Sequence, residues 1–459
     1  MSTTKPDRTE AHDVAIAPLE SDTVSRVTRR LLPLIMLLFL VAYLDRTNIS
    51  VAALTMNADI GLTATAYGVG AGLFYVTYIL VEVPSNLALE RFGARRWIAR
   101  IMITWGVVAG CMALVQGDRS FVGVRMLLGA AEAGFTPGII FYLSLWFPSR
   151  HRARATARFY VGSALATCLG APISGLVVRM DGVAGLEGWK WLFVLEAVPA
   201  VVLAFVVLRW FTDSPKDADW LPERNKTWLI EALATERAAL ESQRTFSVRQ
   251  ALTNPGILLL ALFLFLYSFN SIGLTLWMPQ VIKGTFGDPS NFVTSLLTAI
   301  PYAFAVVFML VVGRSVARRG QAHLHMAVPM AVSGVLLALS VAAGPTLGGF
   351  ALLAVSTGVA WSAIPALWQS ATSFTTGVAA AAGVALINAI ANIAGLGVTP
   401  LIGKVKDLTG SFSAALLIIA GAMIAAAVVA LLSRRFTAPG TLAQQVQERA
   451  GTTLPEPRR

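Results

Sequence analysis

The chain has 459 residues, of which 56% are hydrophobic and only 13% are charged, and its mean hydropathy is +0.68. A soluble protein of this length carries about a quarter charged residues. The composition therefore excludes an ordinary soluble protein and predicts an all-α protein that crosses the membrane many times.

The net charge of +11 is spread over short loops between apolar runs. This distribution is typical of membrane topology and does not predict binding of nucleic acid. The apolar runs are each about 20 residues long, which is the length of a helix that spans the bilayer. The two cysteines, Cys111 and Cys168, lie inside apolar runs and predict neither a disulfide nor a metal site, and no cofactor is indicated.

The segment before Ser25 is polar and lacks the short apolar core of a secretory signal, so we expect a disordered tail. Twelve transmembrane helices are predicted after it, at about 30–54, 65–89, 97–115, 124–155, 155–178, 189–211, 252–282, 291–316, 323–343, 347–368, 376–402 and 412–433. They form two six-helix halves, 30–211 and 251–434, with a linker at 212–250 and tails at 1–29 and 435–459. The middle of the linker has a helical composition.

Basic residues are concentrated in alternate loops. On one side they are Arg29, Arg30, Arg91, Arg95, Arg96, Arg150, Arg152, Arg154, Arg318, Arg319, Arg434 and Arg435. The other side is sparse, and Lys404 and Lys406 are its main exceptions. Because positively charged loops stay in the cytoplasm, both chain ends are predicted to be cytoplasmic and the number of helices to be even.

Charged residues interrupt two of the apolar runs. Arg125 and Glu132 are seven residues apart, about two helical turns, so both project from one face of the predicted fourth helix. Asp45 and Arg46 lie well inside the first helix. A charge within the bilayer costs at least ~2.5–3.5 kcal/mol, so these residues predict a transport pathway in a cavity shared by the two halves. The alternative is a buried ion pair that only fixes packing.

Prolines recur at a constant offset. Pro137 and Pro172 are 35 residues apart, as are Pro365 and Pro400, and the two pairs are offset by 228 residues. The second proline of each pair is followed three residues later by glycine. An offset near half of the chain predicts two duplicated halves, and substrate sites in such transporters lie where the halves meet. Chance recurrence of proline and glycine in apolar helices is the alternative.

The second half offers neutral polar groups in place of the charges. Asn388 and Asn392 are four residues apart and share a helix face, so we expect them to line a pore rather than serve only as packing contacts. Trp368 is placed either to stack on an apolar part of a substrate or to pack at an interface.

The chain resembles a known family in six stretches. They are YLDRTNIS (43–50), VPSNLALERFGARRW (83–97), RMLLGAAEAGFTPGIIFYLSLWFP (125–148), GWKWLFVLEAVPA (188–200), AAAAGVALINAIANIAG (379–395) and KVKDLTGSF (404–412). On these stretches it resembles the major facilitator superfamily and, within it, the anion:cation symporter family, which includes carriers for sugar acids, tartrate, phthalate and hydroxyphenylacetate. The resemblance implies the twelve-helix major facilitator fold in the bacterial inner membrane and proton-coupled uptake of a small organic carboxylate anion.

The resemblance also implies roles for individual residues. Proton coupling maps to Asp45 and Glu132. Substrate binding maps to Arg46, Tyr78, Arg125, Trp368 and Asn392, to which we add Tyr43 and Asn388. The basic turn after the second helix is first a topology signal, and a second role as a gate involves Glu90, Arg91, Arg95 and Arg96, with Glu82 as another possible ion-pair partner.

A coupling hypothesis follows from the residue types. The Arg125 guanidinium can hold a carboxylate through two N–H groups, so a substrate anion would compete with Glu132 for it. Protonation of Glu132 would then release Arg125 to the substrate. We expect a monomer whose partners are the carboxylate, protons and the lipid bilayer, with no nucleic acid.

Other functions are weighed against this one. A membrane-embedded sensor of organic anions, or a facilitator of the same fold without proton coupling, would use the same buried charges. Multidrug export is disfavoured because two arginines in the cavity would repel cationic drugs. An enzyme is not expected, because no metal-ligand spacing, phosphate loop or nucleophile–base pair is present in the sequence.

Overall fold

The computed structural model describes residues 8–242, 253–373 and 378–434, and regular structure within these ranges is helical. The α-helices are α1 (Arg8–Asp59), α2 (Ala64–Phe92), α3 (Ala94–Cys111), α4 (Asp118–Glu132), α5 (Phe135–Trp146), α6 (Ser149–Val178), α7 (Gly188–Trp210), α8 (Glu223–Ser242), α9 (Pro255–Ser268), α10 (Thr275–Thr285), α11 (Asn291–Arg319), α12 (Ala322–Ala343), α13 (Leu347–Trp361), α14 (Ile364–Ser373), α15 (Val378–Thr409) and α16 (Ser413–Ser433). A π-helical segment, Phe269–Leu274, joins α9 to α10.

The described residues contain 11 helical segments that are long and apolar enough to cross a membrane. The predicted fifth helix is represented by a shorter apolar segment, Leu165–Val178 in α6. Three of the spans are composite, because α4 with α5, α9 with α10, and α13 with α14 each form one crossing. The prediction of an all-α polytopic membrane protein is confirmed.

Apolar side chains also cover the outer faces of the spans. Val202 and Phe205 on α7, and Val307 and Val311 on α11, are each more than half exposed. Exposed apolar surface of this extent is unfavourable in water and favourable against lipid. The interior holds large aromatic side chains such as Trp105.

The N-terminal segment differs from the prediction of a disordered tail, because α1 already begins at Arg8. Tertiary contacts account for the difference. The Asn225 amide, on the linker helix α8, donates hydrogen bonds to Asp22 Oδ2 (2.9 Å) and Thr23 Oγ1 (2.8 Å). Asp22 also pairs with Arg26 one turn later, at 2.7 Å. These contacts order a polar segment that buries little apolar surface of its own.

The linker contains the helix that its composition predicted, α8, which packs against α1. The described residues pack into two units, of which one comprises those in 1–60 and 76–242. The other comprises 61–75 together with the described residues after 242, so the start of α2 belongs to the second unit rather than the first. Within this second unit, Asp407 on α15 accepts hydrogen bonds from the Thr65 N–H (2.7 Å) and hydroxyl (2.6 Å).

The breaks in the helices repeat at the offset seen in the sequence. The fourth crossing breaks between Glu132 and Phe135, and the tenth breaks between Trp361 and Ile364. At an offset of 228 residues the two breaks coincide to within one residue. Such a shared irregularity supports duplication over chance recurrence of proline and glycine.

Candidate functional site

A cluster of buried charges lies inside the first unit. Asp45 and Glu132 are each 3% exposed and Arg125 is 2% exposed, although all three lie within apolar spans. Together with Arg46 they form one group, since Arg125 and Glu132 both act electrostatically on Asp45 and Arg46 pairs with Glu132. The structure therefore brings together the four charged residues that the sequence singled out.

Glu132 has an ion-pair partner on another helix. The Arg46 guanidinium, on α1, forms an ion pair with Glu132 Oε1 at the end of α4. The hypothesis that protonated Glu132 would release Arg125 stays a prediction, and the structure adds Arg46 as an arginine that Glu132 holds from another helix. Helical spacing places Arg125 and Glu132 on one face, but an ion pair is decided by the distances between side-chain ends.

Aromatic rings surround the Arg46 side chain. Its guanidinium carbon lies 5.9 Å from the ring centroid of Tyr43 and 5.5 Å from that of Tyr78. Both distances allow a cation–π attraction, which is strongest where water is excluded. Tyr43 and Tyr78, predicted as substrate-binding residues, thus lie beside the ion pair.

Asp45 is held by neutral donors. The indole N–H of Trp105, on α3, donates a hydrogen bond to Asp45 Oδ2, and Asn48 Nδ2 donates to Asp45 Oδ1 at 3.3 Å. Trp105 is fully buried and packs edge-on against Phe135 at 5.3 Å. Sequence reasoning missed Trp105, because a tryptophan in an apolar run carries no signal that distinguishes a donor from a packing residue.

The position of Glu132 depends on a break in the fourth crossing. Gly134 has a φ of 90°, in the left-handed region, and separates α4 from α5. A Cβ at this position would lie 2.3 Å from Ser85 Oγ on α2, so only glycine fits both the conformation and the space. The break ends α4 at Glu132 and orients this carboxylate toward α1.

A further buried acid lies close to this cluster. Glu196, on α7, is 8% exposed and accepts a hydrogen bond of 2.8 Å from the Ser174 hydroxyl on α6. It lies in GWKWLFVLEAVPA, one of the stretches that carry the family resemblance, and was not among the predicted site residues. An acid inside a long apolar run was the signal that could have identified it.

The predicted substrate residues of the second half lie in the second unit. Trp368 is partly buried against a hydrophobic cluster that includes Leu367 and Ile387. The Asn388 amide donates a hydrogen bond of 3.1 Å to the Val384 carbonyl of its own helix, and Asn392 lies partly buried one turn later. Their roles as substrate contacts remain predictions.

The basic turn that was predicted as a gate contacts the start of the linker, and its gating role stays a prediction. In the part of the chain that the structure describes, no ion pair links Glu82 or Glu90 to the basic turn at 91–96. Instead, Asp213 accepts a hydrogen bond of 2.8 Å from the Arg95 backbone N–H at the start of α3. Gly93, with a φ of 86°, allows this approach, since its Cβ would lie 2.9 Å from Asp213 Oδ1. The proposed pairing with Glu82 or Glu90 is therefore not formed in this structure.

Comparison with known proteins adds the family. A sequence family described as the Major Facilitator Superfamily matches residues 35–396. The chain belongs to the Major Facilitator Superfamily. The resemblance inferred from the six sequence stretches is thereby confirmed, and the chain is a multi-pass membrane transporter rather than an enzyme.

Relatives within the superfamily are similar over most of their length. A protein of Agrobacterium vitis that is provisionally named a tartrate transporter is 46% identical over 422 residues, which is 92% of this chain and 96% of the relative. A quinolone resistance transporter of Acinetobacter baumannii is 40% identical over 398 residues, or 86% of this chain and 91% of that relative.

A solved structure supports the fold. The inward-open xylose transporter XylE from E. coli has a TM-score of 0.71 at 14% sequence identity, covering 90% of this chain and 98% of that one. At this identity the likeness concerns the fold alone.

Proposed function

We propose that this transporter takes up a small organic carboxylate anion together with protons, by alternating access. The observation that carries the proposal is the buried Arg46–Glu132 ion pair, with Arg125 and Asp45 beside it. Opposite charges in an apolar span are costly, and transport of an anion and protons is a function that needs both. We further propose a monomer in the bacterial inner membrane with both chain ends in the cytoplasm.

Among carboxylates, the class of hydroxy-dicarboxylates is favoured. Two guanidinium groups in one cluster can each hold one carboxylate through paired N–H donors. The relative from Agrobacterium vitis, 46% identical, carries a provisional name for tartrate, which is a hydroxy-dicarboxylate. Sugar acids and aromatic carboxylates are the other classes that this chemistry accommodates.

The coupling step follows from the ion pair. While Glu132 is ionised, it occupies the Arg46 guanidinium and competes with any substrate carboxylate. A proton on Glu132 removes its charge and releases Arg46, which can then bind the substrate. Loss of that proton on the other side of the membrane restores the ion pair and displaces the substrate. Proton and substrate therefore move together, because each depends on the state of the same arginine.

A second candidate is export of a larger aromatic compound. The observation that favours it is the 40% identity to a quinolone resistance transporter. An inward proton gradient distinguishes uptake from export, because a symporter would accumulate its substrate and an antiporter would expel it.

Flux through liposomes that contain the purified protein tests the proposal, with labelled tartrate as the probe and an inward proton gradient. We expect tartrate to accumulate and to leave when the gradient collapses. Equilibration without accumulation would indicate a facilitator, binding without flux would indicate a sensor, and gradient-driven expulsion would indicate an exporter. Each of these three results would contradict proton-coupled uptake.

Binding is tested separately by thermal unfolding. A ligand at 100 times its dissociation constant stabilises the folded state by ~2.7 kcal/mol, so tartrate should raise the melting temperature of the wild type. Arg46→Ala and Arg125→Ala should lose this rise. Arg119→Ala removes an exposed arginine from α4 and should retain it. Full stabilisation of Arg125→Ala by tartrate would remove this residue from the binding site.

A further inference from the structure

Glu196 has no part in the coupling step described above, yet its surroundings are unusual. It lies in the span Gly188–Trp210, and the Ser174 hydroxyl is the donor to its Oε1 atom. Its Oε2 atom is buried without a hydrogen-bond partner. Among the residues that the structure describes, no ion pair reaches Glu196. The carboxyl group is thus buried beside the Ser174 hydroxyl and the Asn48 amide, with no cation paired to it.

The chemistry of this environment suits a neutral acid. Removing an ionised carboxylate from water costs several kcal/mol unless a cation and several hydrogen bonds replace its hydration. A hydroxyl and an amide, both neutral, replace only part of it. A protonated carboxyl carries no charge and can itself donate a hydrogen bond through its O–H group. The site therefore favours a proton on Glu196.

Asp45 and Glu196 share Asn48 as a neighbour. Asn48 Nδ2 donates to Asp45 Oδ1 at 3.3 Å, and both Asn48 and Asp45 lie close enough to act on the Glu196 carboxyl group. Two carboxyl groups at such a site repel each other when both are ionised, so they bind protons as a coupled pair.

The charges on the surrounding helices agree with a bound proton. Among the described residues, the cluster around the two carboxyl groups includes Asp45, Arg46 and Asn48 on α1, Trp105 on α3, Arg125 and Glu132 on α4, Ser174 on α6 and Glu196 on α7, with Arg46 joined to it through Glu132. They comprise three carboxyl groups and two guanidinium groups, so one bound proton makes the cluster neutral. Glu82 on α2 faces Arg46 as well, but it is partly exposed and can be hydrated.

We infer that Glu196 and Asp45 form a second proton-binding site, separate from the Glu132–Arg46 ion pair. The role of this site in transport rests on the proposed function. Protonation of Glu132 would release Arg46 to bind the substrate, whereas the Asp45–Glu196 pair would take up a proton without releasing an arginine. Substrate binding alone would then not fix the number of protons that move with each substrate.

Infrared difference spectroscopy tests the site directly, on full-length protein in liposomes without substrate. The wild type should show the C=O band of protonated carboxyl groups, and Glu196→Gln should remove one component of it. Ser174→Ala should keep that component and shift its frequency, because Glu196 Oε1 loses its donor. Glu187→Gln, which removes a partly exposed carboxyl before α7 that pairs with Lys190, should leave the band unchanged. A band unaltered in Glu196→Gln would overturn the inference.

The pairing with Asp45 has its own test. In Asp45→Asn, the Glu196 component should titrate at a different pH from the wild type, since its neighbour no longer carries a charge. An identical titration in Asp45→Asn would show that the two carboxyls are independent and would refute the pair.

Proton movement during tartrate uptake then separates the inference from the proposed function. Glu196→Gln should move fewer protons per tartrate than the wild type while tartrate exchange persists, and unchanged stoichiometry would exclude this residue from coupling. If the wild type moves no protons with tartrate, the proposed function fails. The infrared component of Glu196 would still decide whether the proton-binding site exists.

Discussion

The buried acids of the first unit have different partners. Glu132 holds an arginine directly, whereas Asp45 is held by the indole of Trp105 and the amide of Asn48. A carboxylate that neutralises an arginine changes the binding site when it is protonated. A carboxylate held by neutral donors changes mainly its own charge. The two acids predicted for proton coupling are therefore not equivalent.

Replacing Glu132 by Gln tests its part in coupling. The variant has no carboxylate to hold Arg46, so the substrate binds without a proton. We expect exchange of labelled tartrate to persist and uphill accumulation at one unit of pH gradient to fall by about tenfold, which is the contribution of one coupled proton. Liposome uptake and counterflow measure the two activities. Accumulation at the wild-type level in Glu132→Gln would exclude this residue from coupling.

Helix breaks place these side chains where regular helices would not. The fourth crossing breaks at Gly134, and the seventh contains the π-helical segment Phe269–Leu274. Irregular segments inside spans are tolerated where the surrounding protein satisfies the backbone, and they are common at functional sites. Asn270 lies in the π-helical segment and is fully buried.

The break at Gly134 should be sensitive to a single methyl group. Gly134→Ala adds the left-handed strain of ~1–2 kcal/mol per residue and the contact with Ser85, for which overpacking costs ~1–3 kcal/mol. Gly182→Ala is the matched control, because Gly182 has a φ of 79° but nothing within 4 Å of an added Cβ. Thermal unfolding in detergent should therefore show a larger decrease in melting temperature for Gly134→Ala than for Gly182→Ala. Equal losses in the two variants would mean that the contact with Ser85 relaxes without cost.

The complete transporter must balance the charges that it moves. A substrate monoanion with two protons carries a net positive charge inward, whereas a dianion with two protons is electrically neutral. The membrane potential contributes ~2.3 kcal/mol per charge per 100 mV, so the two cases respond very differently to it.

The dependence of uptake on membrane potential therefore reports the proton number. With a dianion such as tartrate and two coupled protons, accumulation in liposomes should follow the pH gradient and be unaffected by a potassium-diffusion potential. A third coupled proton would make an inside-negative potential increase accumulation. Inhibition by the same potential would indicate a single proton per dianion and would contradict coupling through two acids. Protein-free liposomes provide the baseline for leak.

The sequence by itself determined the membrane class, nearly every span and the identity of the charged residues. These features are visible in one dimension, because an apolar run of bilayer length and a charge within it do not depend on what packs against them. The repeat at 228 residues predicted two duplicated halves, and the helix breaks that share this offset were seen only in the structure. The prediction of a disordered N-terminal tail was wrong where α1 forms. The order of this segment comes from contacts such as that between Asp22 and Asn225, which are 203 residues apart.

The tertiary structure alone decided which carboxylate meets which arginine. Helical spacing predicted that Arg125 and Glu132 lie on one face of one helix. It could not predict that Arg46, 86 residues earlier in the chain, pairs with Glu132. The roles of Trp105 and Glu196 were hidden for the same reason, because their partners lie on other helices. Periodicity specifies which face of a helix a residue occupies, and only the packing of helices specifies what that face meets.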